Sequence, residues 1–384
     1  MKYVGVDLHK QIIVLCVIVV VAGKRQVVTR RKLSCRDLAG VDEFFSQLGP
    51  FQVAVEATAA YEWFLKRIER LADRIVLVHP RKMRIIAESR RKTDRLDAQI
   101  LAEFLAADEL PEAWRPTPRV REHRGLVRQR DHLRRRISGV KCRLRNVLAH
   151  YNADVPHLFT AAGQEHLAAA PLSACDRFVA GQLQAELAAH LEQRRAIDRQ
   201  LQHFAADAPL AEREARAVLE SVPCVGPVTI EVMLSELGDV RRFRSQNRVV
   251  QYAGLAPGRR QSGARCVDLG ITKEGSRLLR WAMIELAWRM VAKTRYWGLL
   301  YEKLKQGRGA KKAIVAVARR VLCVLVSLLK SGQPYRLARD SRAPALRERA
   351  RVRNQSPQVP PPDPRLLPSS LSPVKRKERT ITTK

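Results

Sequence analysis

Aromatic residues are scarce in this 384-residue chain; Phe, Trp and Tyr together make up 5% of it. Stacking on unpaired bases is therefore not an expected main mode of contact. Acids are scarce too, 38 against 71 Lys and Arg, for a formal net charge of +33. That excludes an ordinary metabolic enzyme as the default reading and points to a polyanionic partner, of which nucleic acid is the commonest. The seven cysteines are scattered and none forms a CxxC pair. Neither a zinc site nor a disulfide framework is indicated, and a reducing cytoplasm is the expected compartment. The intensely apolar stretch from Ile12 to Ala22 is 11 residues long, short of the ~20 that a membrane span needs. It lacks a cleavage pattern, so a signal peptide is not expected either. No internal repeat is visible.

What is present is a hydrophobic fraction of 46%, enough for sizeable cores and too much for wholesale disorder. The length suits two or three domains. The charge is unevenly spread. By regional count, residues 1–110 carry a net +5, 111–150 a net +9, 151–240 a net −7, 241–330 a net +17 and 331–384 a net +9. A condensing protein would be basic throughout, so this pattern suggests binding faces mounted on a folded scaffold.

Periodicity divides the chain further. Alternation at Lys2–Leu8, the β-branched run Ile12–Val21, and Gln26–Leu33 after an Ala-Gly-Lys turn predict three strands. A short helix over 38–48, a strand Phe51–Glu56, a helix Ala60–Ala72, a strand Arg74–His79 stopped by Pro80, and a helix over about 93–107 complete a βββαβαβα domain with a mixed sheet, residues 1–110. Residues 119–150 and 174–206 predict two long helices flanking a loop, an antiparallel hairpin or coiled-coil arm within 111–210. Residues 211–333 read as a mainly helical domain interrupted by a Gly/Arg-rich loop from Gly254 to Gly275. Residues 334–384 hold nine of the 20 prolines and read as a disordered basic tail.

Four acids stand out by position. Asp7 ends the first strand, Glu56 ends the fourth, and Asp94 and Asp97 open a helix in Lys92-Thr93-Asp94-Arg95-Leu96-Asp97-Ala98. Strand ends converge at one sheet edge, and acids three residues apart share a helix face. Four converging carboxylates in a basic chain suggest a two-magnesium phosphoryl-transfer site, because hard cations take oxygen ligands. Asp94 with Asp97 also suits an ordinary helix N-terminus, and Glu56 a cap. Asp7 is harder to explain that way, since it follows the apolar run Tyr3-Val4-Gly5-Val6.

The loop Gln251-Tyr252-Ala253-Gly254-Leu255-Ala256-Pro257-Gly258-Arg259-Arg260-Gln261-Ser262-Gly263 continues through Arg265 to Gly270-Ile271-Thr272-Lys273-Glu274-Gly275 and a helix. Backbone amides, Arg259, Arg260, Arg265, Lys273 and a helix N-terminus make a phosphate cradle. On its own, Ser262-Gly263 reads as an ordinary turn.

The acid order resembles the RNase H/RuvC-like nuclease fold. The segments Gly5-Val6-Asp7-Leu8-His9-Lys10, Glu56-Ala57-Thr58 and Lys92 to Ala98 resemble, more narrowly, the DEDD transposases of bacterial insertion sequences, the IS-one-ten group. The Gln251–Gly275 segment is similar to that family's C-terminal domain. The resemblance covers roughly residues 1–335. It implies Asp7, Glu56, Asp94 and Asp97 as Mg²⁺ ligands and Ser262 as a nucleophile that links covalently to DNA. It further implies double-stranded DNA as substrate, a structured guide RNA, and a homo-oligomer, dimer or tetramer. Leu219 to Pro227 resembles a helix–hairpin–helix, with Cys224 where the family usually has Gly. Cysteine enters left-handed backbone less freely, which puts direct phosphate contact there in doubt; a plain packing corner fits the segment equally.

The 119–150 helix is dense in arginine, Arg128 and Arg135 included, with twelve bases against three acids over 111–150. Nucleic-acid backbone contact is expected there. Two other functions remain open from sequence: a structure-specific nuclease of RuvC type that uses water, and a non-catalytic nucleic-acid-binding protein.

Overall fold

The computed structural model describes residues 1–58, 61–86, 94–262 and 265–336; for 84–86, 94–96, 259–262 and 265–268 it describes backbone alone. The tail expected beyond Pro334 lies mostly outside the described residues.

The N-terminal part is built on β1 (Lys2–Leu8), β2 (Ile12–Val21), β3 (Lys24–Ser34), α1 (Leu38–Ser46), β4 (Phe51–Glu56), α2 (Tyr61–Ile68), β5 (Arg74–Val78), α3 (Pro80–Ile86) and α4 (Asp94–Ala106). The sheet order is β3-β2-β1-β4-β5. β1, β2 and β3 are antiparallel neighbours, whereas β1, β4 and β5 run parallel. Branched side chains suit the pleated surface, and β2 is mostly Val and Ile. A two-residue turn, Ala22 and Gly23 both at positive φ, closes β2 onto β3 at Val21↔Lys24. This is the type I′ geometry that matches strand twist. It starts β3 two residues before the expected Gln26.

Alternation sorts the sheet into two faces. Val4, Val6, Leu8, Ile13, Leu15, Val17, Val53 and Val55 pack with Val41, Phe45, Phe64 and Ile68 of α1 and α2. Cys16, Ile18, Ala54, Val76 and Val78 lie on the other face, covered by Ala98, Leu101, Ala102 and Leu105 of α4.

Two long antiparallel helices follow, α5 (Pro118–Ala149) and α7 (Ala174–Ala206), with α6 (Ala161–Ala169) between them. Their pairing is traced by Arg119 to the Phe204 carbonyl, Arg130 to Asp198, Arg136 to Glu186, and Tyr151 to Asp176. α6 falls where a plain loop was expected. Thr160 caps it by accepting from the Gly163 amide, and Leu158 and Leu167 are buried beneath the tip of the pair.

The C-terminal part comprises α8 (Leu210–Glu220), α9 (Pro227–Leu237), a 3-10 turn (Val240–Arg242), α10 (Gln246–Tyr252), β6 (Pro257–Ser262), β7 (Arg265–Ile271), α11 (Arg277–Lys293), α12 (Arg295–Arg308) and α13 (Ala310–Ser331). α9, α11 and α13 share one apolar core, to which α5 contributes Val127. No helix among the described residues is long and apolar enough to cross a membrane.

Three expectations need correction. Pro80 ends β5 but also opens α3, because its fixed φ and missing N–H cost nothing at a first helical turn. The Gly/Arg-rich segment is not a loop: it forms the antiparallel hairpin β6–β7, registered from Pro257↔Ile271 to Ser262↔Arg265. The Cys224 backbone does enter the left-handed region, at φ 67°.

Candidate nucleic-acid processing site

The acids are positioned by backbone packing before any side chain matters. Asp7 and Glu56 stand at the carboxyl ends of two hydrogen-bonded parallel strands, one residue past the Val6↔Val55 pair. Alternation puts both on the α4 face, with Gly5 and Ala54. α4 runs antiparallel to these strands: Arg74 at the start of β5 donates to Asp108, just past the end of α4. The N-terminus of α4 therefore lies toward the carboxyl edge. A Cβ on Gly5 would meet the Ala98 carbonyl oxygen at 1.9 Å and the Ala102 nitrogen at 2.5 Å, so only glycine lets helix and strand approach this closely. From that contact point, two strand residues advance ~6.6 Å, about the rise of four helical residues. Stepping from Gly5 to Asp7 thus matches stepping from Ala98 back to Asp94.

Asp97 follows the same stripe, four residues before Leu101. Asp97 and Glu56 are both partly exposed. The Asp94 side chain lies outside the described residues, although its backbone opens α4. The Asp7 carboxylate is 17% exposed and 3.1 Å from His9 Nε2, a neighbour that sequence reasoning did not single out. Among the described residues, no group of three or more His, Cys, Asp or Glu side chains stands ready to hold an ion; Asp94 is outside that search. The donor set itself, all carboxylate oxygen at a solvent-reachable edge, suits a hard divalent cation.

Ser262 is the last residue of β6, paired with Arg265 across a two-residue connection. The side chains of Ser262, Arg259, Arg260 and Arg265 lie outside the described residues. The root of the hairpin is well defined. Thr272 N donates to the Ala256 carbonyl, Lys273 N to Gly254 and Ser276 N to Tyr252. Lys273 is exposed and takes a positive φ of 55°. Ser276 caps α11 by accepting from the Leu279 amide.

The long basic helix is less naked than its own composition suggests. Its arginines find acids from elsewhere in the chain: Arg119 pairs with Glu212, Arg130 with Asp198, Arg136 and Arg143 with Glu186, and Arg145 with Asp154. Arg128 grips Glu236, which is 1% exposed, through two hydrogen bonds of 2.9 and 3.1 Å. That contact raises the Arg128 pKa above its usual value. Arg135 pairs with Asp131 one turn back. The acidic middle of the chain thus neutralises the helix through tertiary contacts that composition cannot show. By contrast, among the described residues 241–330 contribute one acid–base pair, Lys305 with Glu302, against a net +17.

At 222–225 the Val225 amide donates to the Val222 carbonyl, with Pro223 second and Cys224, at positive φ, third. That is the pattern of a type II turn. It joins α8 to α9 as a helix–turn–helix corner, and the Cys224 thiol donates to the Arg289 carbonyl at 3.8 Å.

Comparison with known proteins matches both parts of the chain. The DEDD transposase model of the IS110 type, described as Transposase, matches residues 4–153. The model described as Transposase IS116/IS110/IS902 family matches residues 216–302. A probable family 20 transposase of Pseudomonas aeruginosa is 27% identical over 345 residues, covering 87% of this chain and 98% of that protein. The transposase for insertion sequence element IS1111A of Coxiella burnetii is 25% identical, covering 87% and 91%. The pilin gene-inverting protein of Moraxella bovis is 24% identical, covering 87% and 97%. With the acid-bearing sheet and the serine hairpin each inside a matched region, the chain belongs to the IS110 family of insertion-sequence transposases.

Proposed function

We propose that this transposase cuts and rejoins DNA by metal-dependent phosphoryl transfer through a covalent phosphoserine link at Ser262. The observation that carries the reading is the convergence of Asp7, Glu56 and the α4 N-terminus at one sheet edge, held there by the Gly5–Ala98 approach. The strand order β3-β2-β1-β4-β5 supports an RNase H/RuvC-like assignment.

Asp7, Glu56, Asp94 and Asp97 are the residues that would hold Mg²⁺. When bound there, the ion supplies charge stabilisation to the phosphorane and lowers the pKa of an attacking hydroxyl. Ser262 Oγ attacks phosphorus as its proton departs. The P–O bond to the leaving strand breaks, and the leaving oxygen is protonated to a free hydroxyl. The phosphoserine diester keeps the energy of the original linkage. A hydroxyl of the partner strand can then displace serine and seal the new joint without ATP. Lys273, Arg259, Arg260 and Arg265 neutralise phosphates around the hairpin, while the exposed faces of Arg128 and Arg135 contact backbone farther out. Sequence choice is assigned to an element-encoded RNA held by the same basic surfaces. Exchange between two duplexes calls for a dimer or tetramer in the cytoplasm, where the nucleoid is reached directly.

The test is to incubate the protein with Mg²⁺ and labelled element-end DNA, with the element's RNA added, and run a denaturing gel. A protein-sized labelled band is expected, absent from Ser262→Ala and from Asp7→Asn. Cleavage with free ends only, equally fast in Ser262→Ala, would replace this reading with a water-using nuclease.

A further inference from the structure

Residues 111–115, between α4 and α5, are tied down one after another. On the sheet side, His79 N donates to the Pro111 carbonyl, Val78 bridges Glu112, and Ala113 N donates to the Leu77 carbonyl at 2.6 Å. Val78 is also the strand partner of Glu56. Arg115 then returns to the same part of the molecule, pairing with Glu62 of α2 and with Glu69 just past its end.

Trp114, between them, goes the other way. Its ring sits under the guanidinium of Arg242 at 4.0 Å, with Arg124 at 5.1 Å. Its far edge fills the space beside Gly238, where a Cβ would lie 2.3 Å from the ring and where φ is 59°. Arg242 donates to the Leu237 carbonyl and also stacks over Tyr252 at 4.8 Å. The Tyr252 carbonyl accepts the Ser276 amide, which is the root of the serine hairpin.

We infer that Trp114 is a positioning residue that locks the acid-bearing sheet edge to the root of the β6–β7 hairpin through Arg242 and Tyr252. This rests on the phosphoserine reading for its effect on chemistry, but not for its effect on structure. The lock sets the orientation of each half-site on its own chain, whether the two halves meet within one chain or across an oligomer. Neither Trp114 nor Arg242 is placed against the reacting atoms.

Two measurements on the full chain test it. The first is amide hydrogen exchange without DNA. Trp114→Ala is expected to speed exchange about 10-fold or more at 111–115 and at 272–276, leaving β1, β2 and α13 unchanged. The second is single-turnover adduct formation at saturating DNA. Trp114→Ala is expected to slow it about 10-fold or more with DNA affinity kept within about 2-fold, and Trp114→Phe to restore most of the rate. Gly238→Ala, which displaces the ring from the other side, should behave like Trp114→Ala, and the double variant no worse than either. If Trp114→Ala loses protection throughout, Trp114→Leu gives the same readouts in a better-filled site. Wild-type exchange at both segments, or a wild-type adduct rate, in Trp114→Ala or its Leu replacement overturns the inference. Failure of the wild type to form any adduct sinks the phosphoserine reading alone; the exchange measurement still decides the lock.

Discussion

Gly5 is the residue on which the acid edge depends most directly. Its missing side chain lets α4 touch β1, and any Cβ there would strike helix backbone, which cannot swing aside. Gly5→Ala is expected to destabilise the protein by about 1–3 kcal/mol, and to abolish activity by lifting Asp94 and Asp97 away from Asp7. Denaturant unfolding together with the adduct gel checks both effects; an active, fully stable Gly5→Ala would contradict this placement. Cys224 poses the opposite problem, a side chain where glycine would be at ease. Left-handed backbone costs an L-residue about 1–2 kcal/mol, and glycine returns roughly 0.4–1 of that through unfolded-chain entropy. Cys224→Gly should therefore be neutral to about 1 kcal/mol more stable by denaturant unfolding, and Cys224→Val clearly less stable. The sequence flagged Cys224 as unusual, but not that the turn forms regardless.

At the scale of elements, α5 is clamped to the C-terminal core by a half-buried charge cluster: Arg119–Glu212–Arg216–Glu231–His123, with Arg216 12% exposed. Burial pushes the Glu212 and Glu231 carboxyls up, but hydrogen bonds outweigh it. Arg119 and Arg216 hold Glu212, and His123 and Arg216 hold Glu231, so both titrate below the ordinary value of 4.5. Depressed carboxyl pKa values give stability that is complete above the unfolded range and is lost as pH falls through the folded values. The thermal midpoint should drop on going from pH 7 to below pH 4.5, and less steeply in Glu231→Gln; an equal drop in both would contradict the clamp. Elements with strong periodicity were legible: β1, β2, β4 and α7 fall where alternation or helical spacing put them. α3, α6, α9, α10 and α12 were not separated, because short helices carry little periodic signal. The β6–β7 hairpin hid behind Gly, Arg and Pro, residues with no strand preference of their own, and is held instead by its register and its root.

For the whole molecule, the net charge divides into an internal share and an outward share. The acidic middle pairs with the arginine-rich helix. The largest remaining excess lies in 241–330, around the serine hairpin. Binding to DNA should be steeply salt-dependent, and Lys273→Ala should lower the slope of log affinity against log salt by about 1 uniformly across sequences. A loss confined to one sequence would instead mark Lys273 as a base reader. Partitioning charge along the sequence located the basic blocks but could not show which were already paired, since most of those pairs join residues 50 to 93 positions apart. The order of the four acids was legible because strand ends and a helix start are local features. The joint at Trp114 was not, because its partners Gly238 and Arg242 come together only in the folded chain.

The covalent step on serine can be read out at a single residue. Trypsin cutting after Arg260 and Arg265 releases the peptide Gln261–Arg265, in which Ser262 is the one side-chain hydroxyl. Mass spectrometry of the digested, nuclease-trimmed adduct should show a nucleotide's mass added to that peptide and to no other. Wild-type protein that recombines DNA with this peptide unmodified at every time point, or with the nucleotide on another residue, would contradict the assignment of Ser262.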